Sequence, residues 1–141
     1  MQTSNTFLYS AAATRRLLAN ATRTIQIREF FYVVWVWVKG QRPTFISKRR
    51  YKTEFVASRQ RAARALQVIS QHHGYFGIVY TVTSSQPAQP AYQVEVAGTH
   101  IACTCEDWAN QIDRFGKAVC KHGYATLQHL GHETLAAYLN R

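Results

Sequence analysis

Acidic side chains are scarce in this chain: seven Asp and Glu stand against 17 Lys and Arg over 141 residues, a formal net charge of +10. So one-sided a balance points toward anionic partners rather than toward an acidic, self-solvating chain. Long apolar runs are missing too. The longest, Phe30 to Val38, falls far short of the ~18 residues a membrane span needs, so no membrane partner is expected. There is no Gly-rich phosphate loop and no serine nucleophile motif. Asp107 and Asp113 are too few, and in the wrong context, for the acidic metal ligands of a nuclease or transposase core. No catalytic residues emerge, and the chain is not expected to be an enzyme. Cysteine is limited to three residues. An odd count with no visible secretion signal argues against disulfides and for a cytoplasmic or other intracellular setting.

What the chain does contain is concentrated in one stretch. Cys103, Cys105 and Cys120, with His122, account for every cysteine in the protein. Three thiolates and an imidazole are the number and type of ligands that close a tetrahedral Zn²⁺ site, leaving no position for water. The expected site holds one structural zinc ion, with ligand bonds replacing a core too small to hold this segment by itself. The bland alternative is a core lined by three inert cysteines and a satisfied histidine. His100, His129 and His132 are also near enough in sequence to serve in place of His122.

The pattern C-x-C, fourteen residues, C-x-H resembles the SWIM zinc finger, a module of helicase-like ATPases, Mutator-type transposases and some ubiquitin-ligase proteins. Asp107 and Trp108 after the second cysteine, Lys121 between Cys120 and His122, and Ala125 and Leu127 beyond them fit the same family. The likeness covers about a third of the chain, roughly Tyr92 to Leu130. It implies a strand pair carrying the two early ligands and a helix whose first turn carries the later two. It implies no activity, because the family's enzymes do their chemistry in other domains.

Charge is divided unevenly along the chain. Met1 to His72 holds 13 Lys and Arg against Glu29 and Glu54, a net of +11, whereas His73 to Arg141 holds four against five acids, a net of −1. Lys48, Arg49, Arg50, Lys52, Arg61 and Arg64 are the candidate phosphate contacts, joined by Lys39 and Arg42 if a hairpin and a helix pack together. Tyr51, Trp35 and Trp37 are candidates for stacking on bases, although both tryptophans suit a core equally well. The alternative is a solvated basic face.

In chain order, Met1 to Thr6 should fray, and Phe7 to Ala21 reads as an amphipathic helix. Its basic, serine-containing composition is also that of an organellar transit peptide. Ile25 to Val38 is apolar on both alternating faces and is expected to be one long central strand covered on two sides. Lys39 to Pro43 turns the chain into a partner strand at Thr44 to Ser47. A helix capped by Thr53 should carry Phe55, Ala62, Leu66 and Ile69 on one stripe, Arg59 at its border, and fade near His72-His73-Gly74.

Tyr75 to Thr83 reads as a strand, Ser84 to Pro90 as a loop, Ala91 to Ala97 as a half-buried strand, and His100 to Cys103 as its partner. Trp108, Ile112 and Phe115 recur at helical spacing before Gly116, which should end that helix. A further helix runs from Cys120 through Tyr124 and Leu127 to Gly131, then a short one through Leu135 and Tyr138. The expected fold class is α+β: antiparallel hairpins with packed helices and a C-terminal ββα-like zinc module. Residues 1–74 form a basic helix-hairpin-helix region and 75–141 the zinc module, together one compact unit. The expected function is non-catalytic nucleic-acid binding, DNA rather than RNA, through the basic half. A protein-interaction adaptor presenting Tyr124 and Tyr138, or a subunit of a nucleoprotein assembly, is the alternative.

Overall fold

The computed structural model describes residues 7–19, 22–86 and 88–140. The expected frayed start at 1–6, the expected helix end at Ala21 and Pro87 of the expected loop lie outside them. In chain order the elements are α1 (Ala11–Leu18), β1 (Ile25–Glu29), β2 (Val33–Val38), β3 (Thr44–Ser47), α2 (Lys48–Ala63), β4 (Leu66–His73), β5 (Ile78–Ser84), β6 (Tyr92–Ala97), β7 (His100–Cys103), α3 (Glu106–Phe115), α4 (Lys121–His129) and α5 (Leu135–Leu139). The class is α+β, with two antiparallel sheets and five helices among the described residues. Two compact units, Met1–Ser58 and Arg59–Arg141, divide within α2.

In the first unit the expected long strand is instead a hairpin. Phe30 donates its backbone N–H to the Val33 carbonyl at 2.9 Å, and the chain reverses so that β1 pairs antiparallel with β2, Ile25 opposite Val38 and Glu29 opposite Val34. Fourteen residues are enough for two paired strands, and folding back satisfies a ladder that one lone strand would leave open. β3 pairs along the other edge of β2, Trp35 facing Phe45. Alternation then sorts the sheet: Ile25, Val34, Val36, Val38 and Ile46 are buried on one face, while Gln26, Arg28, Trp35, Trp37 and Phe45 share the other. The expectation that both faces are covered is therefore wrong for this sheet, because Phe45 is exposed and the tryptophans are only half-buried.

Helix α1 opens on Ser10, whose hydroxyl accepts the Ala13 N–H at 3.0 Å. Its buried Thr14 hydroxyl lies 2.6 Å from the Tyr51 hydroxyl, and Tyr9 meets Tyr51 edge to face at 5.5 Å between ring centroids. Tyr51 is thus a core residue and is withdrawn as a base-stacking candidate. Helix α2 starts at Lys48 rather than after Thr53, since the Ser47 hydroxyl accepts the Arg50 N–H at 3.2 Å and supplies the cap. It stops at Ala63, not near Gly74. Leu66 to His73 forms β4 against β5, and the ladder overrides the helical spacing of Leu66 and Ile69. His72 and His73 are exposed strand residues, not a helix end.

The second unit is a four-stranded meander, β4-β5-β6-β7, with a bulge between Val68 and Ser70. Val82, Val94, Ile101, Tyr124, Ala125, Leu127 and Tyr138 build its core together with all three cysteines. Helix α4 packs against all four strands, so its inner side, from His122 to Leu127, is buried. Expected elements from β6 to α5 are found close to their places. Gly116, with φ of 71°, closes α3 by donating its N–H to the Ile112 carbonyl at 2.8 Å. Tyr124 and Tyr138, expected at the surface, are both buried; the Tyr138 hydroxyl donates to the Gly98 carbonyl.

The first unit hangs on Tyr51. Tyr51→Ala should destabilise it by about 3–5 kcal/mol through the cavity left in the core, whereas Tyr51→Phe should cost only about 1 kcal/mol for the lost hydroxyl partner of Thr14. Denaturant unfolding of the two variants beside the parent chain measures the difference.

Candidate metal centre

A hairpin and two helix starts bring the four expected ligands together. Cys103 ends β7, paired with Val94 across the β6–β7 hairpin. Thr104 continues the ladder one step: its N–H donates to the Gln93 carbonyl and its hydroxyl accepts the Gln93 N–H, both at 3.1 Å. Those bonds fix the turn that delivers Cys105 as the N-cap of α3. Cys120 is in turn the N-cap of α4, and His122 lies within that helix's first turn. One ligand atom from each of Cys103, Cys105, Cys120 and His122 lies within 4.8 Å of the others, and all four residues are buried. The four can hold one metal ion.

Ligand atoms around a tetrahedral ion with bonds of about 2.0–2.3 Å stand roughly 3.5–3.8 Å apart. The Cys120 Sγ to His122 Nδ1 distance is 3.8 Å, and the remaining separations need close by no more than about 1 Å, within reach of small side-chain rotations. Backbone donors are already aimed at the sulfurs. Trp108 N–H points to Cys105 Sγ at 3.3 Å and Gly123 N–H to Cys120 Sγ at 3.4 Å. Sulfur thus does the work of the usual Ser or Asp cap, and the helix N-termini favour its thiolate form.

Among themselves the three thiols cannot all ionise. The hydrogen bond with Cys105 pushes Cys103 up to about 11, and bonds with Cys103 and Cys105 raise Cys120 as well. Cys105 is lowered, because Cys103 and then Cys120 donate to it. A divalent cation held by Cys103, Cys105, Cys120 and His122 would reverse this order by replacing shared protons with positive charge, favouring the thiolate form of all three sulfurs.

Around the ligands lies a set of contacts that spacing did not reveal. Gln111, buried on α3, accepts the Val119 N–H with Oε1 at 3.1 Å and donates Nε2 to the Val119 carbonyl at 3.2 Å, clamping the residue before Cys120. The same Nε2 reaches Asp107 at 3.0 Å, and Asp107 takes a two-pronged ion pair from Arg59, at 2.9 Å through Nε and 2.7 Å through an Nη. The i, i+4 spacing of Asp107 and Gln111 was visible in the sequence; the Arg59 partner, 48 residues away, was not. Asp107 is accordingly committed to an ion pair rather than to a pair with Asp113. Tyr92 lies over the imidazole of His122 at 4.5 Å between ring centroids, and Trp108 donates its indole N–H to the Ile101 carbonyl at 3.1 Å, tying α3 to β7. Trp108, half-buried, is thus a packing residue.

The other histidines stay away from the centre. His100 and His129 are exposed, with His129 against Tyr80, and His132 packs edge to face on Tyr138. The six candidate phosphate contacts all fall on α2 or just after it. Arg49, Arg50 and Lys52 are exposed and Lys48 is paired with Glu29 at 2.6 Å in the first unit, while Arg61 and Arg64 belong to the second and are also exposed. No helix among the described residues is long and apolar enough to cross a membrane.

Fold and centre together define a small α+β protein with a buried Cys₃His site that can hold a metal ion. No family model, curated protein or solved structure matches the chain.

Three outcomes test this geometry. Gln111→Ala should loosen the approach to Cys120 and lower metal affinity roughly 10- to 100-fold, the usual effect of removing a group that holds a ligand in place; a competition titration against a chromophoric chelator reads it. In chelator, with Cys103 raised from 9.0 to about 11, the unfolded chain releases that proton first. The thermal midpoint of the metal-free protein should therefore fall as pH rises through that window. Metal-loaded protein should behave oppositely and lose stability on acidification, because its unfolded thiols take up protons.

Proposed function

We propose that this chain is a non-catalytic, intracellular nucleic-acid-binding protein, DNA being the favoured partner, whose second unit is a SWIM-type module built on one structural Zn²⁺. The observation that carries the metal reading is the buried convergence of three sulfurs and one ring nitrogen within 4.8 Å. That ligand set is too soft for magnesium or calcium, and with four ligands present it leaves no open position for catalysis. The SWIM reading is supported by spacing and layout: Cys103 ends a β-hairpin and Cys105 follows it, while Cys120 and His122 start a helix. Three free thiols suit a reducing compartment.

Nucleic-acid binding is supported by charge. The first unit alone holds ten Lys and Arg against two acids, a net of +8, while the second nets +2. Four of those cations, Lys48, Arg49, Arg50 and Lys52, fall in the first five residues of α2, where no acidic residue occupies the first turn. Cations there oppose the helix dipole at about 0.3–1 kcal/mol each, an arrangement that a bound phosphate would relieve. Arg61 and Arg64 add to the cationic surface of the second unit. The protein-adaptor alternative loses its two expected surface aromatics, since Tyr124 and Tyr138 are buried, and keeps only the near-neutral charge of the second unit and the SWIM resemblance.

Cobalt substitution and metal analysis should give one ion per chain with thiolate charge-transfer absorption, and Cys120→Ala should abolish it. Nucleic-acid affinity should fall steeply with salt, and replacing Lys48, Arg49, Arg50 and Lys52 by alanine should weaken binding and reduce the slope of log K against log salt by roughly 0.7–0.9 per lost contact. An affinity that stays flat from low to moderate salt would remove the phosphate-contact reading.

A further inference from the structure

We propose that the outer face of the β1–β2–β3 sheet is a stacking platform for unpaired nucleobases, so that the first unit takes single-stranded rather than duplex nucleic acid. This rests on the nucleic-acid reading above and specifies the form of the strand and the contacts that hold it.

Register puts one row of side chains across three strands. Arg28 on β1 faces Trp35 on β2, which faces Phe45 on β3, and Gln26 faces Trp37 one step along. Phe30 joins the row, its ring 6.2 Å from that of Phe45 and 5.6 Å below the Arg28 guanidinium. These rings are not a core. Phe45 is 61% exposed and Phe30 46%, while the opposite face of the same strands buries Val34 and Val36 almost completely. The sheet therefore spends one face on its core and leaves aromatic surface open on the other, with the Arg28 guanidinium in the same row.

Charge and shape together select the occupant. Arg28 lies within the row, and Glu29, the acid in β1, alternates onto the other face, where Lys48 holds it at 2.6 Å; the exposed Arg49, Arg50 and Lys52 follow β3 in sequence. A ligand with negative charge for Arg28 and flat apolar faces for the rings fits this surface. Unpaired bases on a phosphate backbone have both, and aromatic rings on an open sheet are what they stack on. A duplex keeps its base faces inside and would meet only the cations. A lipid surface would suit Phe31 and Tyr32 at the turn, which are 78% and 77% exposed. Trp35, however, lies three residues back, about 10 Å at strand rise, and Gln26 and Arg28 stand among the rings, where hydrocarbon offers them no partner.

The test uses the full zinc-loaded chain, labelled oligothymidylate or oligouridylate, a mixed-sequence duplex, and vesicles containing phosphatidylserine. Single strands should bind tighter than duplex and quench tryptophan fluorescence. Phe45→Ala and Phe45→Leu should each lower single-strand affinity roughly tenfold, the usual loss of one stacked base, without changing the salt slope, while Phe45→Tyr retains binding. Phe45 is exposed, so these variants should keep the parent thermal midpoint, and Trp35→Phe, which keeps a ring, should remain close to the parent. If single strand and duplex bind equally and Phe45→Leu changes nothing, the platform fails while phosphate binding stands. If no nucleic acid binds at low salt, both fail. Phe45-dependent vesicle binding, or Phe45-dependent self-association in sedimentation, without single-strand binding would overturn the proposal in favour of a lipid surface or a second copy.

Discussion

Three sulfur atoms and an imidazole nitrogen crowded within 4.8 Å inside a protein are unstable company without a positive charge between them. Ionised, the sulfurs repel in a medium of low dielectric; protonated, they must share hydrogen bonds so unevenly that Cys105 is driven down while Cys103 and Cys120 are driven up. A single cation removes the conflict. The second unit is arranged as though this were the main constraint on its folding: each of its longer helices begins on one of the sulfurs, and the β6–β7 hairpin ends on another.

Because Cys105 and Cys120 are N-caps as well as candidate ligands, losing either would remove a cap and a metal bond together. The Arg59–Asp107–Gln111 chain extends the same economy outward. Its last bonds grip the backbone of Val119, the residue just before Cys120, and its first partner lies near the end of α2. The ladder bonds of Thr104 hold the other cysteine pair. An ion held there would therefore be coupled to backbone order from both sides of the centre.

The first unit solves a different problem. Its sheet buries one face of valines and isoleucines and leaves a second, of tryptophan, phenylalanine and arginine, partly open. Tyr51, Tyr9 and Thr14 complete that core, while the cationic start of α2 is left in solvent. Fold and charge are separable here: the buried alternation makes the sheet, and the basic residues sit where no core residue is needed.

Local information carried far along this chain and then ran out. The spacing of Cys103, Cys105, Cys120 and His122 identified the centre because ligand chemistry is local and demanding, and alternation at Tyr92–Ala97 and periodicity at Trp108, Ile112 and Phe115 found β6 and α3 for the same reason. Strand against helix at Leu66–His73 was settled only by the ladder that β5 offers, and the reversal at Phe30–Tyr32 only by the pairing it makes possible, since an apolar run reads alike in one strand or two. Whether Tyr51, Tyr124 and Tyr138 face solvent, whether His122 or another histidine completes the cluster, and that Arg59 braces Asp107 were decided in three dimensions. Such facts depend on residues distant in sequence sharing one buried volume, and no periodicity encodes which of them will meet.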